Sequence, residues 1–251
     1  MIKPYYQDKW VTIYHGDCQE ILPQIDVKVD LVVTSPPYNN WRNKRVQSKR
    51  KNYWERTVIK YDNYDDMMPD NKYENWQAEI INACLDALKD TGTLCYNHKD
   101  RIFNFEVKSP LEWILRTNGK VRQTIIWDRM GMQAYNPVRF YRFEEYIYII
   151  GKAQQKFKWN SNCAKFGSIW RILPSKNTNE HNATFPEELV ERCIMAFTDI
   201  KDIVLDPFMG VGTTCYVAKR MNRVSIGIDI SEKYCEIAAK ECSQEVMELK
   251  L

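Results

Sequence analysis

The chain has 251 residues, 44% of them hydrophobic, which suits one large α/β domain with a sizeable core. No apolar run approaches the roughly 20 residues that span a bilayer, and the first six residues lack the apolar core of a signal peptide. We therefore expect a cytoplasmic protein with no membrane partner. Eight cysteines without a Cys-x-x-Cys spacing and three histidines argue against a zinc site. A net charge of +3 is mild, so affinity for nucleic acid needs a local basic patch.

Short β-branched runs alternate with helical patterns along the chain, which is typical of a mainly parallel, doubly wound α/β sheet. Seven runs predict strands, and they are Trp10–Tyr14, Asp30–Thr34, Thr93–Tyr96, Gln123–Trp127, Tyr146–Ile150, Ile203–Leu205 and Ser225–Ile228. The sequence shows no internal repeat and no low-complexity tract. It therefore predicts a single domain organised around one sheet.

Three segments predict helices, namely Trp76–Lys89, Phe185 to about Phe197, and a last helix from near Ser231 toward the C-terminus. The first should end at Asp90-Thr91-Gly92, because Gly commonly lies just past the last helical turn. Thr184 and Glu187 fit a capping box at the start of the second helix, and Pro186 lies in its first turn, where Pro is tolerated.

The segment Thr34–Tyr38 reads Thr-Ser-Pro-Pro-Tyr and follows an apolar strand. Two prolines must end that strand, because Pro lacks the ladder N–H and fixes φ. The residue before each proline is extended, so its carbonyl points in a fixed direction. With the Ser35 hydroxyl and the Tyr38 ring, this turn can hold a flat ring bearing an amino group, as chemistry on a nucleobase requires. The alternative is a strand-ending turn with a packed tyrosine.

Two segments, 39–75 and 152–180, match no core element. From Trp41 to Lys60 there are eight Lys or Arg residues against the single Glu55, and the sign of the charge reverses from Tyr61 to Asn75. Connections of this length in a compact domain are usually functional or disordered. We expect the basic stretch to neutralise phosphates; a solvated charged loop is the alternative.

The second motif begins at Asp206, after the run Ile203–Leu205, and reads Asp-Pro-Phe-Met-Gly-Val-Gly-Thr-Thr. Glycines at a strand-to-helix turn let the backbone approach a ligand closely, and a helix N-terminus favours a carboxylate or phosphate. Asp229 stands at the end of the next strand, about 20 positions after the glycines, which is the usual place for a partner of ribose hydroxyls. An ordinary tight turn with Asp229 as a helix cap is the alternative.

The Gly-Lys-Ser/Thr signature of phosphate loops is absent, so nucleotide hydrolysis is not indicated. The glycine turn with its ribose acid resembles the S-adenosylmethionine site of the amino-DNA methyltransferases, and Ser-Pro-Pro-Tyr is similar to the catalytic tetrapeptide of that family. The resemblance covers nearly the whole chain. Its order is the permuted order of the β-group enzymes, with the catalytic half first and the cofactor half last.

This resemblance implies a seven-stranded, Rossmann-like, circularly permuted methyltransferase sheet in one domain, 1–251. The catalytic half would be 1–150 with a DNA-contacting insertion at 39–75, followed by a short target-recognition segment, 152–180, and a cofactor-binding half, 181–251. The implied partners are double-stranded DNA and a cognate restriction endonuclease, and the protein would be a monomer or a homodimer.

The resemblance also assigns roles to single residues. The catalytic residues would be Ser35, Pro36, Pro37 and Tyr38. The residues that hold S-adenosylmethionine would be Asp17, Cys18, His181, Phe185, Pro186, Asp206, Pro207, Phe208, Gly210, Gly212, Thr213, Thr214 and Asp229. The DNA-binding residues would be Trp41, Arg42, Lys44, Arg45, Lys49, Arg50 and Lys51, and no metal is expected.

The implied reaction moves a methyl group from S-adenosylmethionine to the exocyclic amine of a flipped base, with Ser35 and the Pro36 carbonyl accepting the amine hydrogens and Tyr38 stacking on the ring. Methylation of cytosine carbon-5 needs a Pro-Cys dipeptide in its own family, and none of the ten prolines precedes a cysteine. Serine at the first tetrapeptide position resembles the cytosine-N4 enzymes, so we expect cytosine, with adenine-N6 as the alternative. Methylation of RNA or of a protein glutamine, and a DNA-binding relative without turnover, are the rival readings.

Overall fold

The computed structural model describes residues 2–39, 68–103, 106–131, 140–152, 156–175 and 185–244. Its helices are α1 (Cys18–Ile21), α2 (Asp70–Ala87), α3 (Leu111–Ile114), α4 (Glu187–Phe197), α5 (Thr213–Arg220) and α6 (Glu232–Ser243). Its strands are β1 (Tyr6–Gln7), β2 (Val11–His15), β3 (Val29–Thr34), β4 (Leu88–His98), β5 (Arg101–Phe103), β6 (Glu106–Lys108), β7 (Gly119–Asp128), β8 (Glu144–Lys152), β9 (Ile169–Arg171), β10 (Ile203–Asp206) and β11 (Val224–Asp229). Two short 3-10 helices, Leu22–Gln24 and Ser161–Phe166, complete the described elements.

One large sheet has the strand order β1-β2-β11-β10-β3-β4-β8-β7-β9. The strands β2, β11, β10, β3 and β4 run parallel to one another, and β8 lies antiparallel between β4 and β7. β5 and β6 form a separate antiparallel pair. The sheet is thus mixed α/β with a parallel centre, as the alternation of strands and helices predicts.

All seven predicted strands are present, but the predicted count of seven is wrong, because nine strands of the described chain form the large sheet. The two additional strands are β1 and β9, which lie at the two edges and have two and three residues. Strands this short leave no readable alternation in the sequence. β9 also places part of 152–180 in the sheet, so this segment is not wholly outside the core architecture.

Helix α2 begins and ends earlier than predicted. It starts at Asp70 after Pro69, so residues 70–75 of the predicted irregular segment 39–75 are helical. The helix ends at Ala87, and the predicted stop at Gly92 lies inside β4. A Cβ on Gly92 would lie 3.1 Å from the Asp30 carbonyl oxygen, beside the register shift between β3 and β4. Glycine here permits close strand approach and does not cap a helix.

Helix α4 begins at Glu187 with Pro186 in the N-cap position, and no side chain caps it. The predicted capping box is therefore wrong, because Glu187 is the first helical residue and not the third. Its carboxylate accepts a hydrogen bond from Arg220 on α5 at 2.6 Å. The last helix begins just after Ser231, as predicted.

Two apolar clusters cover the two faces of the sheet, which explains why β3 is buried at all six positions. One contains Tyr73 and Ile80 of α2, and the other contains Leu189 and Ile194 of α4. All eight cysteines are free and buried. In the part of the chain that the structure describes, no helix is long and apolar enough to cross a membrane.

Candidate active site

The carboxyl ends of β3, β4, β10 and β11 meet at one edge of the sheet, where ligands bind in open α/β folds. Both sequence motifs lie at this edge, because Ser35 follows β3 and Asp206 ends β10, its direct neighbour. The fold thus brings together two segments that are about 170 positions apart in the chain.

The catalytic tetrapeptide predicted from the sequence has its two side-chain hydroxyls in contact. Ser35 Oγ lies 2.9 Å from Tyr38 Oη, and both point at Asn97 Oδ1, at 3.1 and 2.8 Å. Tyr38 Oη also donates to Glu145 Oε2 at 2.9 Å. The Lys99 ammonium lies 4.9 Å from the centre of the Tyr38 ring. A half-buried serine hydroxyl is therefore held in a network of oxygen atoms.

A second network fixes the end of this turn from the protein interior. The Pro37 carbonyl accepts hydrogen bonds from Tyr73 Oη at 2.8 Å and from Gln77 Nε2 at 3.3 Å. Tyr73 Oη also lies 2.7 Å from Nε2 of His98, whose Nδ1 faces the Lys99 carbonyl at 2.6 Å. Burial lowers the pKa of His98 to about 3, so this imidazole is neutral. The Lys99 carbonyl then requires the proton on Nδ1, so Nε2 is an acceptor, and the single hydroxyl proton of Tyr73 is shared between His98 Nε2 and the Pro37 carbonyl.

Asp206 connects the tetrapeptide to the glycine turn. Its Oδ1 accepts hydrogen bonds from Thr34 Oγ1 at 2.8 Å and from the Phe208 amide at 3.0 Å, and its Oδ2 accepts from Thr214 Oγ1 at 2.7 Å. The side chain is buried, and burial raises its pKa to about 6. The hydrogen bonds of Asp206 to Thr34 and Thr214 therefore connect the two segments inside the protein.

The glycine turn has the geometry of a backbone cradle. Gly210 and Gly212 adopt φ values of +54° and +88°, which strain any other residue. Among the described residues, a Cβ on Gly210 would meet no heavy atom within 4 Å, whereas one on Gly212 would lie 2.7 Å from Ala238 Cβ. Open space above Gly210 fits a bound ligand, and Gly212 is required by the packing of α5 against α6.

Asp229 lies opposite this turn and accepts hydrogen bonds from the Gly210 amide at 2.9 Å and from the Ser231 amide at 2.8 Å. Each carboxylate oxygen retains a second lone pair, so the side chain can still accept from a ribose hydroxyl. Burial raises the pKa of this carboxyl group. The residues present therefore fit an adenosine-bearing ligand between the open turn and the acid.

The other predicted cofactor residues are divided between this edge and the interior. Asp17 is the N-cap of α1 and accepts from the Gln19 amide at 2.8 Å, and Cys18 is buried beside it. Phe208 packs edge-on against Trp76, with ring centres 5.6 Å apart. The remaining described residues are Pro207, Thr213, Phe185 and Pro186, of which Pro207 and Pro186 are buried.

Several predicted residues lie outside the described residues, namely His181 and the seven candidate DNA contacts Trp41, Arg42, Lys44, Arg45, Lys49, Arg50 and Lys51. Sequence reasoning missed other residues of the networks, namely Tyr73, Gln77, Asn97, His98 and Glu145. It also missed Arg129, whose Nη1 donates to Glu145 Oε1 at 2.7 Å. One signal could have found Asn97 and His98, since both stand at the carboxyl end of a predicted strand beside the tetrapeptide strand.

The fold and the site together are typical of α/β enzymes that bind a nucleotide-type ligand at a glycine turn, which here lies beside the Ser35–Tyr38 turn. A family model described as DNA methylase, of the N6/N4 methyltransferase type, matches residues 29–240. The chain belongs to this family of amino-DNA methyltransferases.

Similar proteins cover most of the chain. The type II methyltransferase M.BglII of Bacillus subtilis is 28% identical over 93% of this chain and 69% of its own length. M.HpaI of Haemophilus parainfluenzae is 29% identical over 86% of this chain and 69% of its own length.

Solved structures show the same fold. The cytosine-N4-specific PvuII DNA methyltransferase superposes with a TM-score of 0.72 at 18% identity, covering 97% of this chain and 89% of that chain. The M1.HpyAVI–SAM complex gives a TM-score of 0.63 at 22% identity, covering 93% and 100%. A DNA modification methylase of Thermus thermophilus, complexed with S-adenosyl-L-methionine, gives 0.65 at 22% identity, covering 93% and 95%.

Proposed function

We propose that this DNA methyltransferase transfers a methyl group to the exocyclic N4 amine of cytosine in double-stranded DNA. The observation that carries the proposal is the Ser35 hydroxyl, which stands at the end of β3 beside the glycine turn and within 2.9 Å of Tyr38 Oη. The methyl donor is S-adenosylmethionine, which supplies an electrophilic methyl group. Gly210 and Asp229 would hold its adenosine part, and Asp17 would accept from the adenine amino group.

The acceptor nitrogen is a weak nucleophile, because its lone pair is delocalised into the ring. Ser35 Oγ and the Pro36 carbonyl would accept its hydrogens and favour a more tetrahedral nitrogen. The Pro37 carbonyl is bound from behind by Tyr73 and Gln77, so the turn is fixed before the base arrives. Such positioning, with reacting atoms about 3–3.5 Å apart, supplies much of the acceleration in reactions of this kind.

The target base would leave the duplex to reach this edge, and the Tyr38 ring would stack on it. The basic stretch of 39–75, together with residues of 152–180, would contact the phosphates and read the site. The strand order supports the permuted arrangement of the β-group, since the chain supplies β3 and β4 before β10 and β11. Adenine-N6 is the second candidate, because adenine presents the same amine beside a ring nitrogen.

The test is to express the protein in a bacterial host that lacks its own DNA methyltransferases and to digest the host DNA to nucleosides for mass spectrometry. We expect N4-methylcytosine, and we expect none when Ser35→Ala is expressed at the same level. N6-methyladenine without N4-methylcytosine would show that the choice of base is wrong. DNA without either product would refute the proposed function itself.

A further inference from the structure

Tyr38 Oη lies at the centre of a cluster of oxygen atoms. In four pairs of residues the side-chain oxygen atoms lie within 3.1 Å of each other, namely Tyr38–Ser35, Tyr38–Asn97, Tyr38–Glu145 and Ser35–Asn97. The amide of Asn97 is oriented by its Nδ2, which donates to the Tyr146 carbonyl at 3.1 Å, so that Oδ1 faces the two hydroxyls. Asn97 can therefore accept protons from this cluster but cannot supply one.

The protons of this cluster can be counted. Ser35 and Tyr38 each carry one hydroxyl proton, and an ionised Glu145 carries none. Four oxygen–oxygen contacts thus share two protons, so at least two of the contacts lack one. A third proton on Glu145 would give another of these contacts its donor. The positions of the oxygen atoms therefore suit the cluster better after it has gained a proton than before.

Glu145 is the carboxylate of this cluster, and a carboxylate that gains a proton becomes a neutral hydrogen-bond donor. Its side chain is 6% exposed, and its Oε1 accepts from Arg129 Nη1 at 2.7 Å, which leaves Oε2 for Tyr38. The Arg129 side chain keeps 30% exposure. Its charge would remain in contact with water when Glu145 becomes neutral.

We propose that Glu145 is the final acceptor of the proton that leaves the amine, and that Ser35 and Tyr38 pass this proton to it. The inference rests on the proposed methyl transfer but is independent of whether the base is cytosine or adenine. A nitrogen that has gained a methyl group is positively charged and strongly acidic, and the nearest hydroxyl is that of Ser35. Glu145 therefore acts through Tyr38 and Ser35 and does not touch the base.

The step balances in atoms and in charge. The nitrogen–carbon bond forms as the carbon–sulfur bond breaks, and the electron pair of the broken bond stays on sulfur. The nitrogen–hydrogen bond then breaks, its pair returns to nitrogen, and the proton goes to Ser35 Oγ. The Ser35 proton moves to Tyr38 Oη, and the Tyr38 proton moves to Glu145 Oε2. The positive charge of the donor and the negative charge of Glu145 disappear together.

The test compares Glu145→Gln with Glu144→Gln, the same substitution at the adjacent residue, whose carboxylate is paired with Arg142. We expect Glu145→Gln to slow the formation of the neutral methylated product in a single turnover by about 10²-fold, the usual size of an acid–base effect, because the methylated cation then lacks its proton acceptor. The Kd values for S-adenosylmethionine and DNA should not change, and the solvent deuterium isotope effect on product formation should change. Glu144→Gln should resemble the wild type in all four measurements.

Tyr38→Phe tests the same path from its other end, because it keeps the ring and removes the relay hydroxyl. The double variant with Glu145→Gln should be no slower than the slower single variant, since both changes interrupt one path. An infrared difference spectrum during a single turnover should show the band of a protonated carboxyl group in the wild type and not in Glu145→Gln.

Three results would overturn the inference: a wild-type rate and isotope effect in Glu145→Gln, additive losses in the double variant, or a wild-type spectrum without the carboxyl band. If Glu145→Gln fails to fold, Tyr38→Phe decides, and a wild-type isotope effect in it refutes the relay. A wild type that transfers no methyl group to DNA would instead refute the proposed function.

Discussion

Asp206 joins the segment Thr34–Tyr38 and the glycine turn through its two carboxylate oxygens, which accept from Thr34 and Thr214. The resemblance to the methyltransferases assigns this residue to the cofactor, and its described hydrogen bonds all come from groups of the protein itself. Burial raises its pKa to about 6, above the value of roughly 3.9 in an unfolded chain. The neutral form is therefore favoured by folding, and the ionised form opposes it.

The sign of the pH effect follows directly. The contribution of Asp206 to stability is fully present below about pH 4 and is lost as the pH rises through about 6. Asp206→Asn keeps the shape and carries no charge. Relative to the wild type, the free energy of unfolding of this variant should therefore rise by about 2 kcal/mol between pH 4 and pH 7. Urea denaturation at several pH values measures the difference.

Asp26→Asn provides the matched control, because it removes an exposed carboxylate by the same change of atoms. The control should gain little over this pH range. A pH-independent difference between Asp206→Asn and the wild type would contradict the assignment of the effect to Asp206.

At the scale of the element, the turn between β10 and α5 contains two glycines with different tasks. Gly210 has a positive φ and open space, so alanine there should cost only the backbone strain of about 1–2 kcal/mol. Gly212 has a positive φ and faces Ala238 of α6, so alanine should cost about 3 kcal/mol or more. Thermal unfolding of Gly210→Ala and Gly212→Ala measures this order.

Binding of S-adenosylmethionine should be affected in the opposite order, with the direct effect on the Kd at Gly210. A methyl group on Gly210 would enter the open space above the turn and should raise the Kd even though the fold is largely intact. Equal losses of stability in the two variants, or unchanged binding by Gly210→Ala, would contradict this division of tasks.

Elements differed in how far the sequence could predict them. The strand β3 and the turn Ser35–Tyr38 were predictable, because an apolar β-branched run followed by two prolines leaves few alternatives. The start of α2 was not, since Asp70 closes a long acidic stretch that reads as a loop. The edge strand β9 was missed because three residues pair with β7 only through the tertiary fold.

The residues of the candidate site divide in the same way, into those that a local motif places and those that only the tertiary fold brings together. The placement of residues within a local motif, such as Gly210 in the turn and Asp229 at the end of β11, was predictable from spacing. Glu145 and Arg129 were not, because they meet Tyr38 only when β8 packs beside β4. Register between distant strands is set by the whole core and leaves no local signal.

At the scale of the whole molecule, strands from both ends of the chain share one sheet, since β11 and β10 lie between β2 and β3. Unfolding should therefore be a single cooperative transition. S-Adenosylmethionine at a concentration of 100 Kd should add about 2.7 kcal/mol and raise the Tm by roughly 5–10 °C. Tryptophan fluorescence and far-ultraviolet circular dichroism should report the same midpoint with and without it. Two separate midpoints, or a shift in one signal alone, would contradict a shared sheet.

The place of β10 and β11 also determines the order in which a nascent chain can fold. The ribosome completes β3 at Thr34 but reaches β10 only at Ile203, which at cellular rates of synthesis is a delay of roughly 10–30 s. During that time the facing edges of β2 and β3 have no strand between them. The Ser35 turn is therefore synthesised early. The strands on either side of the glycine turn enter the centre of the sheet much later. A chain still under synthesis therefore cannot present the proposed methyl-donor site before the turn proposed to hold the acceptor base exists.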